Sequence, residues 1–86
     1  MTRLVNPATG EVFAEVPDTS PEQVDAAVAR AAAAYERWRW VAPGERARLL
    51  RRFAAVVDAH VEELARIEVR NSGHPIGGAR GEAGNV

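Results

Sequence analysis

The chain has 86 residues, a net charge of −1, and neither cysteine nor lysine. That length allows one small unit, and a marginal one, because such a chain hides only about 60–65% of the surface its unfolded form exposes. The lack of cysteine excludes disulfides, thiolate zinc sites and a thiol nucleophile, and the near-zero charge removes any global attraction to nucleic acid or an anionic membrane.

In chain order, residues 4–16 are predicted to be extended and broken by a turn. Asn6-Pro7 and Thr9-Gly10 are turn signals, and Val12, Ala14 and Val16 alternate with Phe13 and Glu15. A short hairpin or a pair of edge strands follows from this, with Pro7 at an edge or turn because it has no N–H for a ladder.

The stretch "DTSPEQ" predicts a helix start. Ser20 is the N-cap, Pro21 takes the first helical position, and Gln23 completes a capping box. The helix is expected over 20–38, with Val24, Val28, Ala31, Tyr35 and Trp38 as a narrow apolar stripe. Trp38 and Trp40 are expected to anchor the junction that follows.

Pro43 opens a second helix, expected over 43–58, with a poor cap because Ala42 offers no side-chain oxygen. A kink at Asp58–His60 separates it from a third helix over 61–72. Ala47, Leu50, Ala54, Val57, Val61, Leu64, Ala65 and Glu68 are expected to share one face, widened by Leu49, Phe53 and Val56. Glu62 and Arg66 stand at the favourable i, i+4 spacing. Gly73 is expected to cap the third helix in the left-handed conformation, with Pro75 beyond it. A last, truncated helix is expected over 75–86.

The residues that suggest chemistry resolve mostly into structural roles. The glycines near the C-terminus fail the dinucleotide fingerprint, because Ala79 and Arg80 fall where a second glycine is needed, and they fail the P-loop pattern for want of lysine. Gly77, Gly81 and Gly84 instead share a helix face that would let another backbone approach. Arg46, Arg48, Arg51 and Arg52 read as a solvated face rather than a phosphate-binding one. His60 and His74, at helix ends, read as capping and surface residues, and two histidines alone do not make a zinc site. Glu62 and Glu63 face different directions on a helix and are no acid/base pair. No run of apolar residues reaches signal-peptide or membrane-spanning length, so the protein is expected to be soluble and cytoplasmic, with no nucleic-acid or membrane partner.

Three stretches, taken together and in order, resemble the N-terminal part of NAD(P)-dependent aldehyde dehydrogenases: "VNPATGEVFAEVP" at 5–17, "SPEQVDAAVARAAAAYERW" at 20–38 and "PGERARLLRRFAAVVDAHVEELARIEVRNSGHPIGGARGE" at 43–82. The resemblance implies an N-terminal fragment of such an enzyme. Its fold class is then mostly α with a short N-terminal β-hairpin, the helical part of a larger Rossmann-like α/β fold. It further implies a parent that oxidises aldehydes to carboxylic acids through a cysteine thiohemiacetal, uses NAD or NADP, and forms homodimers or homotetramers. The cysteine and the cofactor-binding lysine and glycine-rich segment are absent here, so no catalytic or cofactor role passes to any of these residues. The fragment is expected to be inactive, to bind no cofactor, and to have the remainder of its own polypeptide as partner.

Some members of that family bind a monovalent cation through backbone carbonyls at the positions of Leu4 and Val5 and an acidic side chain at the position of Asn71. Here Asn71 supplies an amide oxygen without charge, and its other reading is a helix cap. Position 74 is histidine where lysine is common in the family. The alternative to the enzyme fragment is a self-standing helical interaction module.

Overall fold

A computed structural model describes residues 1–86. Strand β1 (Thr2–Val5) and strand β2 (Val12–Val16) are followed by helices α1 (Pro21–Trp38), α2 (Pro43–Ala59), α3 (Val61–Ser72) and α4 (Ile76–Gly84). The mostly helical class with one N-terminal hairpin is as the sequence implies. The first strand begins at Thr2, two residues earlier than the sequence suggests, because Thr2 pairs with Val16 and Arg3 with Glu15 across the antiparallel ladder. The Arg3 Nε also donates to Glu15 at 3.2 Å.

Side chains build the hairpin turn. Asn6 Oδ1 accepts from the Ala8 N–H at 2.9 Å, Thr9 Oγ1 accepts from the Glu11 N–H at 3.2 Å, and Gly10 sits at φ +75°. Such a φ is open to glycine at no steric cost. The register shifts between Leu4 and Val5, which face Ala14 and Val12, so Phe13 is the extra residue and the bulge lies in the second strand.

The local helix signals operate as read. Ser20 Oγ accepts from the Gln23 N–H and Gln23 Oε1 accepts from the Ser20 N–H, a complete capping box at 3.2 and 2.8 Å. The α2 N-terminus has no side-chain cap. His60 turns the corner between α2 and α3, its Nδ1–H donating to the Val56 carbonyl at 2.7 Å. Gly73 ends α3 at φ +76°. The cap beside it is Ser72 rather than Asn71: the Ser72 hydroxyl reaches the Glu68 carbonyl at 2.9 Å, whereas Asn71 is exposed and its side chain makes no hydrogen bond.

The packing is sparse. Beyond the β1–β2 ladder, the main contact is α3 against α4, with lesser contacts of α2 with α4 and α3 with β1. Only Ala65 and Ala79 are fully buried. The radius of gyration is 17.3 Å and the extents are 49 × 34 × 14 Å. A compact domain of this length has a radius of about 12 Å. Its accessible surface is 6808 Å², against about 5,000 Å² for a compact monomer of this mass. The chain is a thin, open slab.

Several expectations about packing are corrected by that openness. The α1 stripe touches no core: Val24, Val28, Tyr35 and Trp38 are 39–64% exposed. Trp40 is 78% exposed and does not anchor the junction; the Arg39 guanidinium stacks on it, 4.9 Å from the ring centroid. On α2 the inner side is Ala47, Leu49, Ala54 and Val57, while Leu50, Phe53 and Val56 face outward. Gly77, Gly81 and Gly84 face open space within this chain, and the close helix approach occurs at Ala79.

Candidate functional site

The most organised part of the molecule is the α3–α4 hairpin. Ala65 on α3 and Ala79 on α4 are the two buried residues, and the seam between these two helices is the main helix contact of the chain. To one side of that seam lies an ion-pair node. Arg80 on α4 reaches Glu62 on α3 with both arms of its fork, Nε to Oε2 at 2.9 Å and Nη2 to Oε1 at 2.8 Å. Arg66, one turn along α3, adds Nε to Oε1 at 3.2 Å. The Arg80 hydrogen bonds, then its charge and that of Arg66, hold the Glu62 carboxyl down at about 2. The Arg80 guanidinium is raised in return, chiefly through the same hydrogen bonds. The i, i+4 pair was legible in the sequence; Arg80, 18 residues away, was not.

Beside the node an open groove of about 540 Å³ is lined by Arg66, Val69, Arg70, Ile76 and Arg80. Arg70 has no carboxylate partner and lies over the Phe13 ring, 5.7 Å from its centroid. Guanidinium groups above an aliphatic floor suit an acidic or amphipathic segment laid along the hairpin.

The other side of the seam carries Glu68 on α3, His74 in the turn and Glu82 on α4. His74 is thus not a simple surface residue. It is half-buried, its Nδ1 stands 3.7 Å from Glu82 Oε2, and its ring rests against Gly78, where a methyl group would collide with it.

The remaining sequence candidates stand apart. Leu4 is half-buried and Val5 exposed on β1, which packs on α3, the helix whose last turn carries Asn71. Arg48 pairs with Glu45 at 2.6 Å, whereas Arg51 and Arg52 are exposed. The Asp18 carboxyl, exposed at the end of the hairpin, is lowered by the Met1 ammonium at 2.7 Å and by the Thr2 hydroxyl. The α4 helix follows the Gly73–Pro75 turn and not a strand. Its glycines therefore lack the strand–turn–helix setting of a dinucleotide cradle, and these residues do not fit NAD or NADP. No helix is long and apolar enough to cross a membrane.

The slab buries two alanines and leaves the apolar stripe of α1 exposed. Comparison with known proteins gives its family. The family model described as "Aldehyde dehydrogenase family" matches residues 1–86. Malonate-semialdehyde dehydrogenase 2 of Geobacillus thermodenitrificans is 48% identical over 77 residues, covering 90% of this chain and 16% of that protein. Phenylacetaldehyde dehydrogenase of Pseudomonas fluorescens is 47% identical over 72 residues, 81% of this chain and 14% of that protein. The 2-aminomuconic semialdehyde dehydrogenase of Bos taurus is 40% identical over 75 residues, 87% of this chain and 15% of that protein. No solved structure matches. The chain belongs to the aldehyde dehydrogenase family, and it spans roughly a sixth of the length of these relatives.

Proposed function

We propose that these residues are the N-terminal helical layer of an NAD(P)-dependent aldehyde dehydrogenase, and that their work is to brace the sheet on which the rest of that polypeptide carries its cofactor. The observation behind this is the exposed apolar stripe of α1 in a chain that matches only 16% of a catalytic relative. Buried apolar surface contributes about 25 cal/mol per Å². Stripes left in water gain none of it, so the segment finds its stability in the parent. The thiolate that attacks the aldehyde belongs to other residues of the parent, since no cysteine is present here. The parent oxidises an aldehyde to a carboxylic acid and assembles as a homodimer or homotetramer in the cytoplasm. A monovalent cation held by the Leu4 and Val5 carbonyls near Asn71 belongs to the same reading.

The test is to express the whole reading frame that carries these residues and to follow NADH or NADPH formation with malonate semialdehyde and phenylacetaldehyde. Turnover by the long product and none by residues 1–86 alone is the expected result. A stable, monomeric product confined to these residues, with cooperative unfolding, supports the interaction-module reading instead.

A further inference from the structure

We propose that Glu68, His74 and Glu82 form a binding site for a divalent transition-metal ion of the zinc type, which ties α3, the connecting turn and α4 together. The reading does not depend on the proposed dehydrogenase activity. Each residue offers one ligand atom, and the three atoms lie within 4.8 Å of one another. They come from three successive pieces of chain: the last turns of α3, the connecting turn and the last turns of α4. A metal held by them closes the hairpin on the side of the seam away from the Glu62–Arg80 node.

The donor set decides the class of ion. One imidazole nitrogen with two carboxylate oxygens suits zinc and its first-row neighbours, whereas calcium and magnesium take oxygen donors alone. Around zinc, ligand bonds of about 2.0–2.2 Å place neighbouring donors about 3.3–3.6 Å apart in a tetrahedron. His74 Nδ1 and Glu82 Oε2 already stand at 3.7 Å. Glu82 is exposed and Glu68 half-buried, so small rotations of these carboxylates close the set. Water completes the coordination.

Two features separate this group from an ordinary patch of surface acids. No arginine pairs with Glu68 or Glu82; the only ion-pair partner either of them has is His74. Every cation nearby is committed elsewhere, Arg66 and Arg80 to Glu62 and Arg70 to the Phe13 ring. Two carboxylates facing one imidazole thus lack a permanent counter-charge, which a dication supplies. The imidazole is also given its place by the backbone. Gly73 reverses the chain at φ +76°, Pro75 restricts the exit from the turn, and Gly78 leaves the space the ring fills. The Ser72 hydroxyl, 2.8 Å from Glu68 Oε1, orients that carboxylate from behind.

The experiment uses the protein at its full encoded length, freed of metal with a chelator and titrated with Zn²⁺ by calorimetry. Its partners are His74→Lys and Glu82→Gln, each checked by far-UV circular dichroism for unchanged helix. The lysine variant keeps a cation between the two carboxylates and so preserves the local charge balance while removing the nitrogen ligand. The expected result is one Zn²⁺ equivalent in the native protein, bound at least tenfold more weakly by either variant. A Zn²⁺-dependent rise in melting temperature should be lost in parallel. Failure of the native protein to bind Zn²⁺ overturns the proposal. So does an equivalent that survives His74→Lys, because that ion sits elsewhere on the polypeptide.

Discussion

Arg80 grips Glu62 across the α3–α4 hairpin with two near-parallel hydrogen bonds of 2.8 and 2.9 Å, although the two residues are 18 positions apart. A planar guanidinium matched to both carboxylate oxygens fixes the rotation of α4 about its own axis as well as its distance from α3. Both side chains are half exposed, at 49% and 51%, so the pair contributes orientation more than stability.

The first prediction concerns this pair and acid. The Glu62 carboxyl sits at about 2 in the folded chain, below its ordinary value of 4.5. A group whose folded value is depressed contributes fully above the unfolded value and loses its contribution as pH falls through the folded one. The hairpin should therefore loosen between pH 4.5 and about 2. Carboxyl ¹³C chemical shifts followed by NMR should place the Glu62 midpoint near the lower figure, and Arg80→Ala should return it toward the upper one. An unchanged midpoint in that variant would mean that the fork does not form in solution.

Gly73→Ala tests the α3 stop. The backbone there is left-handed, which costs a residue with a Cβ roughly 1–2 kcal/mol, and the added methyl would stand 3.0 Å from the Pro7 ring. The expected loss is about 1–3 kcal/mol, since the ring has to give way as well. Thermal unfolding of the full-length protein reads it. Gly10→Ala is the control: its φ is +75° but nothing lies within 4 Å of the added methyl, so only the backbone cost should appear.

Ala79→Leu tests the seam between the helices. Ala79 is 1% exposed against α4's neighbour α3, so the added bulk has no room. Overpacking of this kind costs about 1–3 kcal/mol. Ala83→Leu, one turn along α4 and only half-buried, should cost much less in the same assay.

Val28→Ser separates the two roles open to α1. Val28 is 64% exposed, so the change should leave the stability of residues 1–86 by themselves within about 0.5 kcal/mol, as for ordinary surface positions. The proposed packing of this face on the sheet of the long polypeptide predicts that the same change is several-fold more damaging there. Equal, negligible effects in both settings would show that α1 remains solvated in the parent.

The elements themselves were legible because their signals act over a few residues. The Ser20–Gln23 capping box, the proline openings of α1 and α2, the His60 kink and the Gly73 stop are matters of backbone sterics and near-neighbour hydrogen bonds. The third helix ends at Ser72, with Gly73 as its left-handed cap. The family was legible as well, since the order and spacing of these signals are carried by the sequence itself. Tertiary structure alone decided which faces meet. That Leu50 looks outward and Leu49 inward, that Ala79 rather than the flanking glycines takes the close contact, and that Arg80 finds Glu62 all depend on the rotation and crossing of whole helices. The same is true of the approach of Glu68 and Glu82 to His74. Helical periodicity places residues on a face, but the face becomes an interface only when another surface covers it, and among these residues nothing covers the apolar stripe of α1.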